Sequence, residues 1–385
     1  MLLIAAQHSE LGMSLFALGW IHLVALGWLT MTALSVLIHV IPTFTETTLR
    51  GERIARSSLG LYAAGVFALV AAFCAGSVAA LPLGATVISL ALVSYLVPCA
   101  LTLAGALSQT RVQAAIGRAL GVTLTSLITA AFLGAALAWG LARGGSPMLL
   151  SRGPAIHASF GMIGWLTVLV MGVSTRTVRP ITGSPSPRRW THIAAGSGAI
   201  VGMLLLVAGL SFAERIVQWT GAIVVALATM TYVGDLAVVL RRATVTHRPP
   251  QAFLAAGALW LVVGLALSLG SLAGAGVGRA AIYVLLVGWV GQIVNAHIHH
   301  IGIRLIATMV RGEDDETEPA ELLSSRLSWT CFAFFQAAVA AGGVALAFGR
   351  PALLSIAALC GLAGWTAQLG NIATSVRRAR SVGTA

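Results

Sequence analysis

The sequence predicts an all-α polytopic transmembrane bundle of about eleven helices, and three observations carry that reading. Of 385 residues, 58% are hydrophobic and only 9% charged, against about 25% charged in a soluble domain. The mean hydropathy is +0.93. The apolar residues fall in runs of roughly 20 to 30 rather than alternating with period two, which is long enough to cross ~30 Å of hydrocarbon at ~1.5 Å per residue. A chain so poor in charge cannot cover a surface that faces water. In hydrocarbon each backbone polar group needs a partner within the chain, which leaves helices or a closed barrel, and the run length selects helices.

The spans fall at about residues 13–42, 57–81, 83–108, 115–142, 154–178, 191–212, 216–240, 252–274, 279–304, 327–348 and 352–375. The tightest connection is the one between the second and third, placed at Leu81–Pro82. The first residues, Met1 to Gly12, show no cleavable leader and run directly into a span. Two polar stretches are read as cytoplasmic loops: the acidic run within 311–325 (Glu313-Asp314-Asp315-Glu316, then Glu318 and Glu321), taken as a solvated linker, and the turn-rich Gly183–Arg189.

The net charge of +12 does not indicate nucleic acid. Every basic residue is an arginine, and the arginines lie in short gaps between apolar runs. The connections after odd-numbered spans, with the C-terminal tail, hold 18 of them, and the alternate connections hold five. By the positive-inside rule this alternation places the N-terminus outside and the C-terminus in the cytoplasm, as for a multi-pass protein of a bacterial inner membrane. The four cysteines, Cys74, Cys99, Cys331 and Cys360, sit singly in apolar runs, as small buried side chains rather than a disulfide or zinc framework. Neither a Walker-type phosphate loop nor a strand-flanked dinucleotide fingerprint occurs.

Three spans align without gaps. The first reads WIHLVALGWLTMTALSVLIHVIP, the fifth IHASFGMIGWLTVLVMGVSTRTVRP and the ninth AIYVLLVGWVGQIVNAHIHHIGIRL. Each centres on Gly-Trp: Gly27-Trp28, Gly164-Trp165 and Gly288-Trp289. Eleven residues after each Trp comes His39, Arg176 or His300. This predicts a single transmembrane domain of three repeats, about 13–142, 154–274 and 279–375, in a 4+4+3 arrangement of helices; such repeats often surround a central site.

An ionisable group inside a bilayer costs about 2.5 kcal/mol or more, and so is functional or tightly paired. The candidates are His22 and His157 in the outer half, and His39, His297, His299 and His300 in the inner half, with Asp235 near the inner end of the seventh span and Tyr283 near the outer end of the ninth. Neutral imidazole is tolerable in hydrocarbon, and its bare nitrogen can ligate haem iron or copper. His22 and His39 are about 25 Å apart along a helix and cannot share a ligand. His297 and His300 share a helical face with Arg304, whereas His299 points elsewhere. Pairing with an arginine is the expectation for Asp235. His192 and His247 lie at or beyond the inner boundary.

The run from His22 through Gly27-Trp28-Leu29-Thr30, followed by Ile38-His39 and Ile41-Pro42, resembles the second helix of haem–copper oxidase subunit I, in its cbb3 and nitric-oxide-reductase branch. In that family the first His of this helix ligates a low-spin haem, and the match falls on His22. Eleven spans with an outside N-terminus is what the family's twelve-helix, pseudo-threefold fold becomes without its first helix. The fifth span resembles the family's sixth helix, where a His serves copper, and His157 stands at that depth. The departures are specific: the sixth span carries only His192, at its inner end, and the ninth has Tyr283 where a His-x-His is expected. The full oxygen-reducing site is therefore not implied. NnrS-type haem and copper proteins of nitric oxide tolerance are similar in size and histidine content.

The resemblance implies haem b, with copper as a second cofactor, and His22 and His157 as cofactor-binding positions. Depth in the membrane adds Tyr283 as a cofactor-binding candidate and His39, His297 and His300 as metal candidates, with a lining of the cytoplasmic interface as the other reading of the His297–His300 group. The implied activity is electron transfer or nitric oxide- or oxygen-related chemistry by a haem-dependent oxidoreductase, working in the lipid bilayer with a redox partner or oxidase-type subunits. The readings left beside it are a cofactor-free partner subunit or assembly factor, and a proton or metal transporter on the same scaffold.

Overall fold

The computed structural model describes residues 14–185, 189–312 and 317–381. Among them there is no strand, and eleven helices are long and apolar enough to cross a membrane: α1 (Leu15–Thr45), α2 (Glu52–Cys74), α3 (Val78–Leu107), α4 (Gly117–Arg143), α5 (Pro147–Thr182), α6 (Trp190–Phe212), α7 (Arg215–Arg241), α8 (Pro249–Leu272), α9 (Gly278–Arg311), α10 (Ser325–Phe348) and α11 (Pro351–Ser381). The protein is an all-α polytopic bundle whose surface suits a lipid solvent. Large apolar side chains such as Phe67, Phe212 and Phe348 are about three-quarters exposed (77%, 76% and 73%).

The connection between α2 and α3 differs from its expected place. It falls at Ala75–Ser77, ahead of Leu81–Pro82, because Gly76 takes the left-handed conformation (φ +65°) that ends α2. Pro82 lies inside the first turn of the next α-helix, where its missing N–H is no loss.

Three helices depart from α-geometry at matching points. Leu23–Thr30 of α1, Phe160–Thr167 of α5 and Val284–Val290 of α9 are π-helical, and each contains one copy of the Gly-Trp motif in the same register. A π turn widens the helix and leaves carbonyls poorly satisfied, so side chains must supply donors. Tyr62 Oη donates to Leu26 O (3.2 Å), and Gln292 Nε2 donates to Val287 O (3.2 Å).

Two compact units divide the chain: Met1–Val173 with Arg189–Tyr232, and Ser174–Arg188 with Val233–Ala385. In the first, Trp165 is buried and its Nε1 donates to Thr30 Oγ1 (3.0 Å), joining two of the π turns. Gly164 beside it lets α4 and α6 close in: a Cβ there would lie 2.6 Å from Ser126 Oγ and 2.8 Å from Met203 Sδ. In the second, a polar ladder crosses three helices. Trp260 Nε1 donates to Gln336 Oε1 (2.8 Å), Gln336 Nε2 to Gln292 Oε1 (2.7 Å), and Gln292 to the π-turn carbonyl of Val287.

Glu313–Glu316 of the acidic run lie outside the described residues. The segment from Thr317 to Ser324 is more structured than a solvated linker. Pro319–Leu322 forms a helical turn, and Leu322 and Leu323 pack with Ile303, Ala307 and Ala379. Arg378 donates to Glu321 O and Leu323 O, and Arg304 to Thr317 O, so arginines of α11 and α9 strap this segment down.

Gly164→Val should lower the thermal midpoint, since overpacking of this kind costs about 1–3 kcal/mol. Gly60→Ala, with nothing within 4 Å of its Cβ position, should leave the midpoint unchanged or raise it. Equal midpoints for the Val variant and the wild type would contradict the close approach.

Candidate functional site

Two groups of imidazoles stand out, one in each unit; His299 is fully buried and the others are half-buried. In the first unit His22, at the end of an α-helical stretch that precedes the π turn of α1, and His157, just before the π turn of α5, lie side by side. Their ring centroids are 6.1 Å apart and their planes 19° from parallel. Phe73 stacks on His22 at 5.1 Å.

Each imidazole is oriented through its Nδ1. His22 Nδ1 bonds Leu18 O at 2.8 Å, and His157 Nδ1 bonds Ala130 O of α4 at 2.9 Å. A carbonyl only accepts, so Nδ1 carries the proton in both neutral rings and Nε2 keeps its lone pair. This is the arrangement by which metal-ligating histidines are usually fixed. Gly134 of α4 makes room for the second ring: a Cβ there would stand 3.0 Å from His157 Cε1. Two imidazoles on one first-row metal have ring centroids on the order of 6 Å apart, and the centroids of this pair are 6.1 Å apart.

The second unit holds the inner-half histidines. His297, expected as a metal position, has both ring nitrogens engaged: Nδ1 with Ile293 O (2.7 Å) and Nε2 with Thr177 Oγ1 (2.8 Å). His299, which helical spacing turns away from His297 and His300, is fully buried. Its Nδ1 bonds Asn295 O (2.8 Å), its ring centroid lies 5.1 Å from that of Phe253, and its Nε2 meets no partner. The Asn295 side chain is fully buried with neither Oδ1 nor Nδ2 bonded, and His247 Nε2 is likewise buried and unbonded. A second π turn, Ile298–Gly302, carries His299 and His300. His247 belongs to the connection between α7 and α8, which Gln251 pins through Nε2 to Val245 O (2.9 Å).

The remaining candidates differ in exposure and partners, and of these His300 lies close to His297 and His247 of the second group. Tyr283 donates its hydroxyl to Ala338 O of α10 (2.7 Å). His39 is exposed on α1, and His300 and Asp235 are half-buried. His192 packs edge-on against Tyr232, with centroids 5.8 Å apart. Among the described residues no group of three His, Cys, Asp or Glu side chains is placed to hold a metal ion. The sequence does not single out Asn295 or His247: one is an ordinary amide until its surroundings are known, and the other lies outside the spans. No family model matches the chain, and no curated protein matches it.

His247, half-buried, is the histidine of this set outside the spans, and its partial burial lowers its pKa from the ordinary 6.5. Its ring therefore takes a proton more readily in the unfolded chain. Its contribution to stability is complete above about pH 6.5 and is lost as pH falls through that value toward the lowered one. His247→Gln should flatten this part of the acid dependence, seen as a melting-temperature difference from wild type that changes between about pH 7.5 and pH 5. A difference constant with pH would contradict the assignment.

Proposed function

We propose that this chain is an integral-membrane haem b protein in which His22 and His157 would hold the haem iron, and that it serves electron transfer. The observation that supports the reading is the imidazole pair itself: two rings from different helices, nearly parallel, 6.1 Å apart, each with Nδ1 tied to a backbone carbonyl. The bound haem would supply one-electron redox chemistry. The chain's own residues would fix both tautomers through Leu18 O and Ala130 O and pack Phe73 against one imidazole. With both imidazoles holding the haem iron, none of its protein-facing positions would stay free for a gas, which favours electron transfer over nitric oxide or oxygen chemistry. The arginine bias supports a bacterial inner-membrane setting with the pair in the half facing outside and a redox partner there.

Purified protein should show a Soret band that shifts on reduction. His22→Ala and His157→Ala should each abolish the low-spin spectrum, and the exposed His39→Ala should preserve it. Colourless wild-type protein that also fails to take up added haemin would overturn the reading.

A second reading, proton or metal movement on the same scaffold, is favoured by the unbonded atoms of His299, Asn295 and His247. Buried polar groups left without protein partners generally meet water or a ligand. Flux in liposomes that survives His22→Ala and is lost in Asn295→Leu would select it.

A further inference from the structure

A lateral groove of about 840 Å³ opens in the first unit between α3 and α4, with Phe160 of α5 and Leu204 of α6 also lining it. Its walls are apolar. Thr125, Ser126 and Thr129 line it too, but each donates its hydroxyl to a carbonyl of its own helix (Gly121, Val122 and Thr125). Along its length the groove therefore presents no uncommitted hydroxyl proton. Small residues, among them Ala100, Ala104 and Gly121, form part of the lining.

One cation completes it. Arg118, near the start of α4, lines the groove, is exposed, and meets no acceptor among the described residues. The α4 lining runs from Gly117 to Thr129, about 18 Å of helix. One leaflet contributes about half of the ~30 Å of hydrocarbon. The groove thus has the length of one leaflet, apolar along its walls, with a guanidinium at the N-terminal end of α4.

We propose that this groove binds one anionic glycerophospholipid, with an acyl chain along α3 and α4 and the headgroup phosphate on Arg118. A planar guanidinium matches phosphate oxygens in geometry and charge. A ligand whose polar group had to sit deep in the groove would find no free hydroxyl donor there. The site is independent of the imidazole pair.

The test is native mass spectrometry of the full chain in mild detergent, with phosphatidylglycerol or phosphatidylcholine of identical acyl chains added. Wild type should retain one phosphatidylglycerol in preference to phosphatidylcholine by about tenfold, because the choline cation offsets the phosphate charge that Arg118 meets whereas glycerol leaves it uncompensated. Arg118→Gln, at an exposed position, should lose the preference. Gly121→Phe places a ring in the lining at a position with nothing within 4 Å of its Cβ, and should lose both lipids while keeping its melting temperature. Equal retention of the two lipids by wild type overturns the proposal, as does undiminished phosphatidylglycerol binding by either variant. A wild-type dimer that Gly121→Phe converts to monomer also overturns it, by making the groove an interface between copies.

Discussion

In a hydrocarbon solvent a backbone carbonyl cannot borrow a hydrogen bond from water, and that constraint organises this fold more than any single contact does. It forces the chain into helices, and it governs what happens where a helix is irregular. The three Gly-Trp π turns open the helical ladder inside α1, α5 and α9, and the protein brings donors to the opened carbonyls. Tyr62 serves one turn and Gln292 another, and Gln292 is itself held by Gln336 and Trp260. The polar residues of this core are distributed where the backbone needs them.

The two imidazole groups are built on different principles. His22 and His157 are each steered by a single carbonyl, which leaves each Nε2 with its lone pair on one of two neighbouring rings. At His299 the same steering by Asn295 O leaves Nε2 without a partner, and the Asn295 side-chain amide has none either. An unsatisfied buried polar atom costs about 1–3 kcal/mol. His297, bonded at both nitrogens, shows that the fold can satisfy an imidazole completely when it has the partners to do so.

Much of the architecture was legible because hydropathy and length act over whole segments: all eleven spans occur near their expected positions. The α2–α3 connection was misplaced because a proline marks a helix start as well as a stop, and Gly76 was the operative residue. The Gly-Trp alignment located three π turns without identifying them as such, since nothing in a single sequence distinguishes a widened turn from a tight one. Depth along the membrane normal groups His22 with His157 but says nothing of azimuth, so their closeness had to come from the packed helices. Asn295 and His247 became visible only when burial and hydrogen bonding could be read atom by atom, and Arg118 only when the groove beside it took shape.

Of the described cysteines, Cys99 and Cys331 are buried, whereas Cys74 is exposed at the end of α2. Its neighbour in sequence, Phe73, is the ring stacked on His22. The native chain therefore carries an exposed thiol next in sequence to the ring that stacks on His22, with no engineered substitution needed. A fluorophore attached there would sit within energy-transfer range of any coloured group held between those rings, so its emission lifetime would register occupancy of the pair directly.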